Sequence, residues 1–247
     1  MERRTSTVIF AAWVSAVLLL TPGCGGQANR ESQPSTQLER AKFDRSSTSQ
    51  PAAQGAAEDT RPVIVAFGDS LTAGVVENTY PNYLQGLLND HGYRYRVENQ
   101  GVSGETTSDG LARIDNVIAG LPALVILEFG GNDGLRGVPV AAIKTNLDEM
   151  IVRFQQANVP LVLAGITLPP NYGAEYVQSF TAIFPELAKK YNLRLIPFLL
   201  LDVYRHSDMM LPDGIHPNAN GNKVIAQDIF ELIKPLLKNS VRSGVHR

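Results

Sequence analysis

The sequence predicts an α/β domain, a central parallel sheet with helices on both faces, on three observations. Short apolar runs recur at 63–67, 94–98, 123–129, 161–166 and 193–197. Continuous β-branched runs such as Val63-Ile64-Val65-Ala66-Phe67 have the composition of strands buried on both faces. Longer amphipathic stretches at 79–90, 140–157, 174–191 and 219–237 separate most of the runs, and that alternation implies a parallel sheet. Glycine-rich polar segments then follow several of the runs, at the carboxyl ends of strands where open α/β sheets bind ligands. Together these give a three-layer domain for which we expect a flavodoxin-like strand order.

The chain opens with Met1-Glu2-Arg3-Arg4, is apolar over 8–20, and exits through Thr21-Pro22-Gly23-Cys24. A basic start, a short apolar core and a small-residue exit make an export signal over 1–23. The core is shorter than the roughly 20 residues of a spanning helix. A buried helix is the alternative, but the polar sequence that follows offers it nothing to pack against. Cys24 is the only cysteine, so no internal disulfide forms. Its setting resembles the lipobox of bacterial lipoproteins, in which the thiol is lipidated and becomes the new N-terminus, although Leu20 stands four residues before it rather than three. That resemblance implies an envelope lipoprotein held to a membrane through Cys24, and Gly25 in place of aspartate leans toward the outer membrane. A soluble exported protein with an incidental cysteine is the other reading.

Residues 24–60 are rich in Ser, Gln, Ala and Thr and poor in large apolar side chains, the composition of a disordered tether. Such a segment spans on the order of 30 Å. Residues 61–240 are a normal length for one domain, and 241–247 form a tail. The net charge of −2 gives no basic footprint for nucleic acid. Within the domain, Tyr83, Leu84, Leu87 and Leu88 fall at helical spacing, as do Ile143, Leu147, Ile151 and Phe154.

Four stretches carry chemistry. Gly68-Asp69-Ser70-Leu71 places a hydroxyl where the first strand meets a helix N-terminus, though Gly-Asp-Ser is also ordinary turn material. The segment 99–107, Asn-Gln-Gly-Val-Ser-Gly-Glu-Thr-Thr, has two glycines that let backbone N–H groups approach an anion, with a helix beginning near Thr106. In Glu128-Phe129-Gly130-Gly131-Asn132-Asp133-Gly134 an asparagine amide can donate to a developing oxyanion, while Asp133 braces the loop. In Asp213-Gly214-Ile215-His216-Pro217 the carboxylate can hold the imidazole tautomer, leaving the other ring nitrogen to take a serine proton. Each alone is also good turn or loop chemistry; together they assemble one acyl-transfer site. The absence of a Gly-x-Ser-x-Gly elbow disfavours an ordinary α/β-hydrolase.

With all four blocks in place, the sequence resembles the SGNH (GDSL) hydrolase superfamily, within it the bacterial thioesterase I / lysophospholipase L1 / arylesterase group. The likeness extends to 130–137, 168–173 and 184–189 and runs from about residue 62 to 237. It implies that Ser70 attacks an ester or thioester carbonyl to form an acyl-enzyme, with His216 as general base and then acid and Asp213 as its orienting carboxylate. It implies an oxyanion hole made of the Ser70 N–H, the Gly104 N–H and the Asn132 side chain. Leu135 and the loop to 140 would cover the acyl chain, and Pro169, Pro170, Asn171 and Tyr172 would form another wall. We expect no metal or cofactor, a small-molecule or lipid ester as substrate, and a monomer. Carbohydrate O-deacetylation, and a binding lipoprotein with a vestigial site, are the alternatives.

Overall fold

Buried strands and amphipathic helices alternate along the computed structural model of the protein, which describes residues 59–238. The export signal at 1–23, Cys24, the tether up to residue 58, residues 239–240 and the tail at 241–247 lie outside the described residues. Strands β1 (Val63–Gly68), β3 (Leu124–Glu128) and β4 (Leu161–Ala164) are buried almost throughout, as their largely apolar sequences demand, with Glu128 the one charged residue among them. The edges are β2 (Arg96–Gly101) and β5 (Arg194–Ile196). All pairs are parallel and the order is β2-β1-β3-β4-β5, the flavodoxin-like order expected.

The second strand lies further along the chain than its apolar run at 94–98. Pairing runs from Val63 with Arg96 to Gly68 with Gly101, so Asn99, Gln100 and Gly101 are strand residues. On a half-exposed edge strand the main-chain ladder to β1 carries the pairing, and the side chains need not be apolar.

The helices are α1 (Ser70–Ala73), α2 (Tyr80–Asp90), α3 (Thr107–Ala119), α4 (Gly131–Leu135), α5 (Val140–Gln156), α6 (Ala174–Tyr191) and α7 (Ala219–Ile233). The last helix gives way to a 3₁₀ turn over Lys234–Leu236, where Pro235 has no N–H to continue the helical ladder. Thr106 caps α3 through a reciprocal pair: its own N–H donates to the Asp109 carboxylate at 2.9 Å, and its hydroxyl accepts from the Asp109 N–H. Right-handed crossovers put α2 on one face and α3, α5 and α6 on the other, because the chain moves from β1 to β2 in one direction and through β3, β4 and β5 in the opposite one. Accordingly α2 packs on α7, while α3 packs on α5 and α5 on α6. Phe67 of β1 meets Phe129 and Phe154 edge-on, with centroids 4.9 and 6.1 Å away.

Since β2 and β3 flank β1 on opposite sides, the connections diverge at the carboxyl ends of β1 and β3. That crevice is where a doubly wound sheet places its ligand. Gly68 lies in register with both Gly101 and Glu128, so the loops leaving β1, β2 and β3 start level.

Candidate active site

Ser70 is presented by a sharp strand-to-helix corner. A Cβ on Gly68 would stand 2.3 Å from Thr72 Oγ1 and 2.5 Å from Glu128 Oε2, so only glycine lets β1 end this close to α1 and β3. Asp69 then caps α1, its Oδ1 accepting from the Leu71 N–H at 3.0 Å. The cap leaves Ser70 as the first helical residue, with its side chain turned toward the loop between β5 and α7.

That loop carries the histidine. Asp213 Oδ1 accepts from the N–H groups of Ile215 at 2.9 Å and His216 at 3.0 Å, which closes the turn around Gly214. Backbone bonds from Leu211 to His216 O (2.8 Å) and from Gly214 to Leu211 O (3.0 Å) tighten it, and Asn218 anchors it to the start of α7 by capping the Asn220 and Gly221 N–H groups. Asn222 of α7 accepts from the Tyr80 N–H at 2.8 Å, tying this assembly to α2. The other Asp213 oxygen lies 2.7 Å from His216 Nδ1, and His216 Nε2 lies 2.9 Å from Ser70 Oγ. A carboxylate only accepts, so Nδ1 carries the proton and Nε2 is left to accept from the serine hydroxyl. Burial works to raise the Asp213 pKa. The N–H groups of His216 and Ile215 and the imidazole outweigh it and bring the carboxyl down to about 2. Ser70, His216 and Asp213 thus form one hydrogen-bonded chain, ordered for proton transfer away from the hydroxyl.

On the other side of Ser70 stand the loops after β2 and β3. Gly104 has φ +84°, a left-handed conformation open to glycine, and Arg136 grips its carbonyl at 2.9 Å. The adjoining Glu105 is fixed by an ion pair with Arg113, which also donates to Gln100 O at 2.8 Å and lies over the Phe67 ring. Asn132, in the first turn of α4, donates from Nδ2 to Glu105 O at 2.9 Å and to Asp69 Oδ2 at 3.1 Å, so in this structure both amide hydrogens are engaged. Asp133 braces the loop as expected: it is buried and accepts from the Thr107 N–H at 2.8 Å and hydroxyl at 2.6 Å. Among the described residues no protein carbonyl takes the N–H of Ser70 or of Gly104.

The cleft beside Ser70 and His216 is mostly apolar. Leu135 and Pro169 border it, as does Asn132. Asn171 and Tyr172 do not. The turn Pro170–Tyr172 projects outward, Asn171 is exposed, and the Tyr172 hydroxyl donates to Leu135 O at 3.1 Å, pinning the end of α4 from outside. Pro170 belongs to a separate groove along α6. Phe198, Leu200 and Tyr204, from the segment after β5, and Ile166 and Leu168 after β4 also line the cleft, and no short motif marks them in the sequence. Their position just beyond the carboxyl ends of apolar strands was the available signal.

Comparison with known proteins identifies the family. Residues 66–224 match the model of the GDSL-like Lipase/Acylhydrolase family. An arylesterase of Vibrio mimicus is 38% identical over 186 residues, 73% of this chain and 93% of that protein. Thioesterase 1/protease 1/lysophospholipase L1 of Escherichia coli K12 is 36% identical over 188 residues, 75% and 88% of the two chains. The crystal structure of TesA superposes with a TM-score of 0.68 at 37% identity, covering 71% of this chain and 99% of the other. The fold and the site define an SGNH-type ester hydrolase. The chain belongs to the GDSL-like lipase/acylhydrolase family.

Proposed function

We propose that this ester hydrolase works through an acyl-enzyme on Ser70. His216 takes the hydroxyl proton as Ser70 attacks and returns it to the leaving group, while Asp213 holds the imidazole tautomer and faces the imidazolium once it forms. The observation that carries the reading is the hydrogen-bonded chain of 2.9 and 2.7 Å from Ser70 through His216 to Asp213, opening on an apolar cleft. The oxyanion is received by the N–H groups of Ser70 and Gly104 and by the Asn132 amide, whose hydrogen leaves Asp69 or Glu105 O for the stronger acceptor. Water then attacks the acyl-enzyme with His216 as base.

The apolar lining favours acyl chains over acetylated sugars as substrates, and relatives named arylesterase and thioesterase 1 point to esters and thioesters. Leu135 and Pro169 contact the acyl chain in this account, and Tyr172 acts on it only through Leu135. The protein is exported by the signal at 1–23 and is held to the envelope through lipidated Cys24 and the tether. No helix among the described residues is long and apolar enough to cross a membrane. Turnover of p-nitrophenyl esters from acetyl to palmitoyl, by the full chain and its Ser70→Ala variant, tests the reading. Ser70-dependent turnover that persists or rises at medium and long chains is expected; turnover confined to acetyl would shift the substrate to acetyl-sugars.

A further inference from the structure

Glu128, the last residue of β3, has no part in the chemistry above, yet it lies directly behind the nucleophile. It is fully buried. Its Oε2 accepts from the Asp69 N–H at 3.2 Å and from the Thr72 hydroxyl at 2.9 Å, and Tyr80 of α2 completes a relay to Thr72 at 3.0 Å. Its Oε1 is buried and receives no hydrogen bond. An ionised carboxylate with one bare oxygen lacks the compensation that a buried charge requires. The Asp69 carboxyl is buried on the residue whose own N–H donates to Glu128, and it is the better seat for a charge, since Leu71 N–H and Asn132 Nδ2 both donate to it. One proton between the two carboxyls leaves a single negative charge, on Asp69.

We propose that Glu128 is a positioning residue for ester hydrolysis: a neutral acid whose proton holds the Asp69 carboxylate, which in turn orients the Asn132 amide beside Ser70. The inference rests on the oxyanion role assigned above to Asn132. Burial pushes Glu128 well above the ordinary carboxyl range, and the charge on Asp69 adds to it. Burial likewise raises Asp69, to about 6, against the opposing hydrogen bonds from Leu71 and Asn132 and the pull of His216. Tyr80 is the other titratable group facing the pair, and its own burial keeps it neutral. Gly68 is fixed by the same arrangement, because any side chain there would displace the Glu128 carboxyl.

The test compares Glu128→Gln with Glu128→Met in the full chain on a p-nitrophenyl ester, reading kcat and KM separately. The glutamine keeps a neutral donor and acceptor, so its kcat stays within about threefold of wild type; methionine, similar in length but without either, loses at least about 30-fold in kcat with KM little changed. Wild-type kcat in Glu128→Met overturns the proposal, as does a Glu128→Gln variant as impaired as the methionine one. If circular dichroism shows Glu128→Met unfolded, Asp69→Asn reads the same link, because it keeps the cap but removes the charge. A fall in kcat at constant KM is expected there, and an unchanged kcat overturns the proposal. Asn132→Ala separates the two claims. If it keeps wild-type kcat, the oxyanion role of Asn132 fails; if it is impaired while Glu128→Met is normal, only the role of Glu128 fails.

Discussion

Ser70 stands between two carboxyl-bearing clusters that the fold treats in opposite ways. On the loop side, Asp213 is partly open to water and receives two backbone N–H groups and the imidazole, which bring its pKa down to about 2. On the sheet side, Asp69 and Glu128 are buried against each other, and both are raised. The residue types are nearly the same. The difference lies in how many donors reach each carboxyl and how much water stays near it. In the proposed mechanism the carboxylate that faces a developing imidazolium must be charged, whereas the group behind the proposed oxyanion site must brace it without adding a second negative charge.

The most direct way to break this comparison is to remove the charge on the loop side. Asp213→Asn should cut kcat by about 10⁴-fold by destabilising the required tautomer. Steady-state kinetics with a short-chain p-nitrophenyl ester measures it, and a loss of less than tenfold would mean that the imidazole is oriented by something else. Next in size, Asn132→Ala should lower kcat by roughly 10²–10³ without unfolding the domain. Kinetics together with circular dichroism check both parts.

Stability against pH sharpens the comparison, because the two clusters carry opposite signs. For Asp213 the folded pKa lies below the unfolded one, so its stabilisation is full above about pH 4 and is lost as pH falls toward 2. For Asp69 the folded pKa is about 6. From its unfolded value of about 4 up to that point the folded state binds more protons, so stability falls as pH rises. Glu128 is raised in the same direction and extends the decline upward. Urea unfolding between pH 4.5 and 7.5 should therefore show wild type losing stability relative to Glu128→Gln with rising pH, by up to about 1.4 kcal/mol per pH unit for one proton. Parallel curves would mean that Glu128 is ionised in the fold. The smallest effect belongs to the outer turn: Tyr172→Phe removes one exposed hydrogen bond to Leu135 O and should cost about 1 kcal/mol or less, seen as a small shift in the thermal midpoint.

The fold was legible wherever burial dictated composition. β1, β3 and β4 show as apolar runs because both of their faces are covered, and the large helices show because one face of each is. Edge strand β2 lies beyond its apolar run because a half-exposed strand keeps polar residues and takes its register from β1. Short α4 is hidden in a Gly-Gly-Asn-Asp-Gly segment that has the composition of a turn. At the site, Ser70, Asp213 and His216 could be read as a set because Ser70 follows the end of β1 and Asp213 and His216 stand three residues apart just before α7, and the structure joins them in one chain. Asn132 and Gly104 fall on the opposite side of the serine. The cleft walls were legible only in part, since Phe198, Leu200 and Tyr204 are ordinary apolar residues whose direction depends on the path of a long loop. Asn171 and Tyr172 are expected from sequence to form a wall of the cleft, but the turn that carries them points outward. Glu128 could be seen but not interpreted, because its meaning depends on a neighbour 59 positions away.

The central claim is that Ser70, activated by His216, is the nucleophile, and covalent labelling tests it most directly. The full chain is treated with diethyl p-nitrophenyl phosphate and followed by intact mass and peptide mapping, beside Ser70→Ala and His216→Ala. The account predicts one diethylphosphoryl group on the peptide containing Ser70, loss of esterase activity in proportion to labelling, and negligible labelling of either variant. Stoichiometric labelling at another residue, or esterase activity that survives full modification of Ser70, would contradict it.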